Sequence, residues 1–313
     1  MVSILQTDVI DVADWLDDEL YPNYPEGARS KDAIFPPPHI SINFIKGQRR
    51  YLYKRSNRKY PDQFWGEIVA YLVGCLLDVQ VPPAFAAINS EKDDCGALIE
   101  WFYEDFKATY IAGGHFMQRL MPDFDRKRGD QHNFHSIQVL SKSFNRAFSF
   151  PNWEQWWCEA LLFDALIGNT DRHQDNWGCI FVRRQGRPLS ATMAPLFDNG
   201  TSLGHERFPD NLAAWTDENF QRYVAKGTHH VRWQKDDELR CGHIDTFAKL
   251  KVAFPDQIVN LITKVDGFNI DALALQLEHL CGLPLRVSLT QERKNLYIKL
   301  LELRKHRIRE ALT

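Results

Sequence analysis

The sequence of 313 residues lacks several features that would place it in a special class of proteins. Its six cysteines are widely separated and none forms a C-x-x-C pair, which disfavours a disulfide framework or structural zinc and favours reduced thiols. No apolar run approaches the length of about eighteen residues that a membrane span needs. The acidic N-terminus lacks the basic region and cleavage site of a secretory signal. We therefore expect a cytoplasmic globular protein without a membrane span.

Charge of one sign is also not in excess, and no repeat or low-complexity tract is present. The net charge is -3 and the pI is about 6.4, so nothing in the overall charge attracts nucleic acid or an anionic membrane. Hydrophobic residues make up 44% of the chain, which is enough for a sizeable core. No direct contact with nucleic acid is predicted.

The first hundred residues have the pattern of a small β-rich region with one helix. Ile40, Ile42 and Phe44 alternate before a turn at 46–49, and "YLYK" follows, which predicts a β-hairpin ending near Lys54. Apolar residues at helical spacing over 65–76 predict an amphipathic helix. The stretches "VPPAFAAI" and "CGALIEWF" are typical of further short strands.

After Trp101 the pattern becomes mainly helical. Asn152 and Gln155 are placed as a capping box for a helix from Trp153 to Ile167, which Gly168 would end. "WGCIFV" and "SATMAPLF" predict a second hairpin. We therefore expect an α+β fold of two lobes, with a small β-rich N-lobe of residues 1–102 and a larger, mainly helical C-lobe of residues 103–313. Ligands commonly bind in the cleft of such an arrangement.

One short loop carries an unusual concentration of polar residues. "LIGNTDRHQDN" places Asp171 and Asn176 just after a helix, with the spacing of the kinase catalytic loop, in which an Asp accepts the substrate hydroxyl proton and an Asn binds metal. "PLFDNGTS" presents Asp198 on the far side of the following hairpin. The hairpin should return Asp198 toward Asn176, and two oxygen ligands suffice for Mg²⁺ because water and phosphate complete its octahedron. Such a loop also suits an ordinary turn.

Candidate phosphate-binding residues lie earlier in the chain. Lys54 ends a predicted strand, and Glu67 on the next helix could hold its ammonium group, as the corresponding pair does in protein kinases. Arg55 and Lys59 are alternatives for the lysine. "GARSK", residues 27–31, offers flexible backbone and Lys31 to the same phosphates.

These motifs together resemble the HipA-like serine/threonine kinases, bacterial proteins often acting as toxins paired with an antitoxin. "LIGNTDRHQDN" with "APLFDNGTSL" is similar to that family's catalytic loop and metal motif, "GARSKDAI" to its phosphate loop and "ALIEWF" to its hinge. The resemblance implies a bilobal protein-kinase-like fold, with Asp171 as catalytic base and with Asn176 and Asp198 on Mg²⁺. It also implies that the residues contacting ATP include Gly27, Lys31, Lys54 and its partner Glu67, and the hinge Ile99, Glu100, Trp101 and Phe102.

Three positions depart from that pattern. The phosphate loop begins by residue 27, so we expect no additional N-terminal domain. Tyr24 stands where the family has its autophosphorylated serine, although Ser30 and Ser41 lie nearby. Arg172 with the following histidine also resembles the loop of phosphatidylinositol 3- and 4-kinases.

We therefore expect an ATP- and Mg²⁺-dependent phosphotransferase acting on serine or threonine of a protein substrate, with an antitoxin-like protein as a further partner. The alternatives are a phosphoinositide-type lipid kinase and a nucleotide-binding pseudokinase that acts through a protein partner. His173 is expected to brace the loop, Arg172 either touches phosphate or pairs with Asp175, and the basic last helix is expected to be a solvated face.

Overall fold

The computed structural model describes residues 3–19, 31–104, 107–148, 150, 152–183, 185–186, 189–212 and 214–313. These residues form two compact units, and each is discontinuous in sequence. The first unit contains the described parts of Met1–Trp101, Asn199–Trp215 and Asn269–Leu301. The second contains those of Phe102–Asp198, Thr216–Phe268 and Glu302–Thr313. The division into lobes at residues 102 and 103 stays a prediction.

The first unit is built on a six-stranded sheet with the order β1-β5-β6-β4-β3-β2. Its strands are β1 (Ile10–Asp11), β2 (Leu16–Asp17), β3 (Lys31–Phe35), β4 (Tyr51–Arg55), β5 (Ala84–Asn89) and β6 (Asp94–Glu100). β1 pairs with β5 in parallel, and the remaining pairs are antiparallel. One face buries Tyr51, Tyr53 and Leu98 in a hydrophobic cluster, as the alternation of side chains along a strand requires.

The strand predicted over Ile40–Phe44 is wrong, because β4 pairs with β3 instead. The sequence from Pro36 to Pro38 cannot donate main-chain hydrogen bonds, which prevents a ladder at that point. The alternating residues Ile40, Ile42 and Phe44 lie in a loop and pack against the hydrophobic cluster. Their alternation therefore indicates that one side of this loop is buried, and it does not indicate strand pairing.

Helix α1 (Trp65–Leu77) confirms the predicted helix and is buried along nearly its whole length. It ends at Asp78, which adopts a left-handed conformation with φ 54°. In the same unit, α8 (Ile270–Cys281) and the first part of α9 (Gln291–Leu312) follow. The Trp65 indole N–H donates to the Val287 carbonyl, which fixes the first turn of α1 to the segment before α9.

The second unit combines most of the helices with a three-stranded antiparallel sheet, β7 (Ala108–Ala112), β8 (Gly178–Val182) and β9 (Ser190–Met193). The β8–β9 pairing confirms the second predicted hairpin. The helices are α2 (Gly113–Leu120), α3 (Phe134–Ala147), α4 (Trp153–Ile167), α5 (Asp217–Ala225), α6 (Thr246–Ala253), α7 (Ile258–Gly267) and the end of α9.

Helix α4 has the predicted bounds, but its predicted capping box is wrong. Asn152 has φ 62° and its side chain makes no capping hydrogen bond, because a left-handed residue does not have the extended geometry of a usual N-cap. Gly168 ends the helix at φ 68°, the conformation in which glycine is favoured.

The mixed α+β class is thus confirmed, with the larger sheet in one unit and most helices in the other. All six cysteines are free thiols. No helix among the described residues is long and apolar enough to cross a membrane.

Candidate active site

A buried ion pair joins β4 to α1 in the first unit. Lys54 Nζ donates to Glu67 Oε1 at 2.6 Å, and the two side chains are only 4% and 3% exposed. Glu67 Oε2 accepts a second hydrogen bond, 2.8 Å long, from the backbone N–H of Asn199. Asn199 directly follows Asp198, so the glutamate bonds both the lysine and the main chain next to the predicted metal ligand.

Lys31 lies directly opposite Lys54 in the β3–β4 ladder. Residues paired in this way place their side chains on the same face of the sheet, about 5 Å apart at Cβ. Two lysine side chains on one face of a sheet are a pair that suits an anion such as phosphate. Gly27, Tyr24 and Ser30 lie outside the described residues, so the predicted phosphate loop stays a prediction; Ser41 is exposed.

The predicted hinge falls at the end of β6, where much of its hydrogen-bonding capacity is used internally. Glu100 is buried, and its carboxylate accepts from Lys46 Nζ and lies 3.4 Å from Arg49 Nε. The backbone N–H groups of Glu100 and Trp101 donate to the carbonyls of Pro83 and Arg50. The Glu100 side chain therefore stabilises the predicted hinge through these ion pairs. The two N–H groups are hydrogen-bonded to protein carbonyls.

Phe102 belongs to a group of half-buried aromatic rings in the second unit. Its ring stacks on Phe197 with centroids 5.2 Å apart, and Tyr110 meets both rings edge to face at 5.4 and 5.8 Å. Tyr103 stacks on Tyr110 at 6.0 Å. Phe197 immediately precedes Asp198. Flat aromatic surfaces of this kind can stack on a nucleobase.

The loop that carries Asp171 is held by main-chain and side-chain hydrogen bonds. Asn169 Oδ1 accepts from the Asp171 N–H at 3.0 Å, and Asn176 Nδ2 donates to the Asp171 carbonyl at 2.8 Å. His243 Nε2 lies 3.0 Å from the Asn169 carbonyl and donates to it. Because Nδ2 of Asn176 is bonded to the loop, Oδ1 is the atom of this side chain that could bind a cation.

The Arg172 side chain lies at the centre of this loop and is buried, with 5% of it exposed. Its Nε and Nη2 donate to both carboxylate oxygens of Asp164 on α4, at 3.0 and 2.7 Å. Its Nη1 donates to the carbonyls of Asn176 and Phe197. These two carbonyls lie at the two ends of the β8–β9 hairpin, so a single guanidinium holds the Asn176 segment and the segment before Asp198 together.

Arg172 therefore has an internal role, which replaces the two expected alternatives of a phosphate contact and a pair with Asp175. Asp175 pairs instead with Arg126, whose Nε lies 2.9 Å from Asp175 Oδ1. His173 Nδ1 accepts from the Asp175 N–H at 3.1 Å, which agrees with a bracing role for this histidine.

Asp198 adopts a left-handed backbone conformation with φ 57°, which aspartate tolerates better than most residues. A carboxylate at Asp198 and the Asn176 Oδ1 are hard oxygen donors of the kind that Mg²⁺ prefers. Among the residues that the structure describes, no three His, Cys, Asp or Glu side chains gather as metal ligands. The donor set therefore fits a cation that takes most of its ligands from phosphate and water, and it does not fit a structural zinc.

Buried neutral histidines lie beneath the loop. Burial lowers the pKa of His229 to about 3, with the Arg172 charge as a second cause. Burial also lowers the pKa of His243 well below its ordinary value, and the neighbouring His229 adds to this effect. Their rings meet edge to face at 4.6 Å. Both histidines are core residues, each 2% exposed.

The sequence reading missed the role of Asp164, which is 1% exposed. A lone aspartate inside the apolar stretch "LLFDALI" was the available signal, because a buried carboxylate needs a cationic partner. That partner is Arg172, which lies eight residues after Asp164 and beyond the end of α4, so helical spacing did not identify it.

Comparisons with known proteins were consistent with a kinase fold. No family model and no curated protein matches the sequence. The structure is similar to the proinflammatory kinase CtkA of Helicobacter pylori, with a TM-score of 0.75, 15% identity, and coverage of 97% of this chain and 96% of that chain. It also overlaps HipA of a Shewanella oneidensis toxin–antitoxin system, solved with HipB and operator DNA, with a TM-score of 0.49, 12% identity and coverage of 94% and 66%.

The likeness to CtkA shows the fold. The chain has the fold of this kinase, and the expected mixed α+β, kinase-like fold is confirmed.

Proposed function

We propose that this protein is an ATP- and Mg²⁺-dependent kinase that phosphorylates serine or threonine hydroxyls of a protein. The observation that carries the proposal is the Arg172 guanidinium, which bonds the Asn176 and Phe197 carbonyls and so gathers the segments of Asn176 and Asp198 beside Asp171. Phosphoryl transfer depends mainly on positioning and on charge stabilisation, and this arrangement supports both.

In the first unit, Lys54 is the group that we assign to the phosphates of ATP. Glu67 orients the lysine and offsets its charge, because a buried ammonium without a partner is costly. Lys31 adds a second cation on the same face. Residues 99–102 would border the adenine, and the ring group around Phe102 and Phe197 would supply an apolar surface for it.

In the second unit, Asp171 is assigned as the base that accepts the proton of the acceptor hydroxyl. Asn176 Oδ1 and the Asp198 carboxylate would hold Mg²⁺. When bound, Mg²⁺ neutralises charge on the phosphate oxygens. Arg172 is a positioning residue, since its charged partner Asp164 and its two carbonyl partners are protein groups.

The direct experiment is to incubate the purified protein with γ-labelled ATP, Mg²⁺ and a cell lysate, and to map phosphosites by mass spectrometry. We expect label on serine or threonine, and Asp171→Asn should lower the rate by about 10²–10⁴-fold, as the loss of a general base does. Asp93→Asn is the matched control, because Asp93 is exposed and pairs with the exposed Arg286.

Two other outcomes would replace the proposal. Label recovered only in extracted lipid would establish the phosphoinositide-type alternative. Binding of Mg-ATP without transfer to any acceptor would establish a pseudokinase. An antitoxin-like partner stays a prediction of the motif resemblance, to be tested by co-purification with the product of a neighbouring gene.

A further inference from the structure

The basic C-terminal helix α9 was expected to be a solvated face, but two of its arginines are buried. Arg293 and Arg304 are 2% and 4% exposed. Each of them bonds a backbone segment that adjoins a proposed catalytic or metal-binding residue. The other basic side chains near its end make surface contacts, such as Arg309 with Asp266.

Arg304 contacts the end of α4, directly before the catalytic loop. Its Nη1 donates to the Ile167 carbonyl at 3.3 Å. The carbonyl end of a helix carries partial negative charge, and α4 has no basic residue in its own last turn. Arg304, which lies on α9, therefore supplies the positive charge that stabilises the C-terminal end of α4.

Gly168 makes room for this arginine. A Cβ at Gly168 would overlap the guanidinium atoms of Arg304, and the backbone there has φ 68°. The guanidinium therefore packs directly on the peptide at which the chain leaves α4 for Asp171, three residues later. This contact lies within the second unit.

Arg293 contacts the segment that follows Asp198, within the first unit. Its Nε donates to Asp62 Oδ2 at 2.7 Å, and its Nη1 donates to the Gly204 carbonyl at 3.2 Å. Leu203 and Gly204 both have positive φ, 57° and 69°, and a buried leucine in that region is strained. Such a turn persists only where its surroundings hold it.

The two ends of this segment are thus bonded to different helices. Glu67 on α1 accepts from the Asn199 N–H at one end, and Arg293 on α9 binds the Gly204 carbonyl at the other. A Cβ added to Gly66 would lie 3.5 Å from the Gly200 Cα, so the middle of the segment also packs closely on α1. The backbone that leaves Asp198 is fixed over six residues.

We propose that α9 supplies two positioning residues for phosphoryl transfer, with Arg304 orienting the loop of Asp171 and Arg293 orienting the backbone after Asp198. This inference rests on the proposed function for the roles of the two aspartates. It assigns separate effects to the two arginines, because one acts on the base and the other on the metal ligand.

The test compares Arg293→Met, Arg304→Met and their lysine variants with Arg309→Met, a control on the same helix. Arg304→Met should lower kcat by about tenfold or more, since small misplacements of catalytic groups have large effects, while the Mg²⁺ concentration for half-maximal activity stays unchanged. Arg293→Met should raise that Mg²⁺ concentration by about tenfold or more, since a displaced backbone after Asp198 misplaces the Asp198 carboxylate. Arg309→Met should change neither quantity.

Hydrogen exchange of the same variants gives a second readout that does not depend on activity. Exchange should rise in peptides covering 166–172 for Arg304→Met and in those covering 199–205 for Arg293→Met. The lysine variants keep the charge and the fold but lose the planar fork, and should show the same pattern more weakly. A uniform rise in exchange, or equal effects of both variants on kcat and Mg²⁺ dependence, would overturn the inference. An inactive wild-type protein with the predicted exchange pattern would reject the proposed function alone.

Discussion

Replacing Arg172 with methionine should lower the free energy of unfolding, because it removes a buried charge that holds the loop of Asp171. The change removes two hydrogen bonds from the buried Asp164 carboxylate and one each from the Asn176 and Phe197 carbonyls. Asp164 would keep the Asn169 Nδ2 contact of 3.0 Å. Removing one partner of a buried ion pair costs about 3–5 kcal/mol, because the remaining charge stays buried without compensation. The lost carbonyl bonds act within the same network, so they are not added separately.

Urea-induced unfolding measures this cost. Arg172→Met should lower the free energy of unfolding by about 4 kcal/mol, whereas Arg126→Gln should lower it by less than about 1 kcal/mol, because the Arg126–Asp175 pair is partly exposed. Replacing Arg172 and Asp164 together with apolar residues should cost less than Arg172→Met alone. A loss of under about 1 kcal/mol for Arg172→Met would refute the reasoning, since the loop would then not depend on this ion pair.

Three further predictions concern the ion pair, the loop glycine and pH. Glu67→Gln should lower kcat/KM for ATP by about tenfold or more in steady-state kinetics, because Lys54 loses its charged partner; an unchanged value would remove Glu67 from the site. An alanine in the left-handed conformation costs about 1–2 kcal/mol. Gly168→Ala should lower the free energy of unfolding by more than this, because its Cβ would also clash with Arg304. Gly186→Ala is its control, since Gly186 has a similar φ of 70° with nothing within 4 Å; equal losses would exclude the Arg304 clash. Finally, burial makes His229 and His243 neutral in the folded state, with folded pKa values below the unfolded value of about 6.5. Stability should therefore be complete above about pH 6.5 and fall as the pH drops toward the folded values, by up to about 1.4 kcal/mol per pH unit for each histidine. His229→Phe should weaken that dependence in urea titrations at pH 7.5 and pH 5, and an unaltered dependence would contradict this account.

Local patterns in the sequence predicted those parts of the fold that depend on local chemistry. The apolar periodicity of α1, the glycine that ends α4 and the β8–β9 hairpin all follow from short segments. The prediction of a strand over Ile40–Phe44 was wrong because a loop that covers a sheet can bury alternate residues, just as a strand does. The β3–β4 pairing across 36–50 depends on the whole sheet and leaves no local signal.

Residues that carry the proposed chemistry were accessible from the sequence, and those that position them were not. Asp171, Asn176 and Asp198 belong to motifs with fixed spacing. Arg172 was singled out for its position, but its partners Asp164 and Phe197 lie on other elements. Arg304 is one of several basic residues on α9, and only the three-dimensional contact with Ile167 separates it from its exposed neighbours.

The most direct test of the central claim is a crystal structure of the protein with Mg²⁺ and a non-hydrolysable ATP analogue. We predict Mg²⁺ at about 2.1 Å from oxygens of Asn176 and Asp198, with Lys54 bonded to a phosphate and Asp171 facing the γ-phosphate. Nucleotide bound elsewhere, or Mg²⁺ held without either residue, would contradict the account.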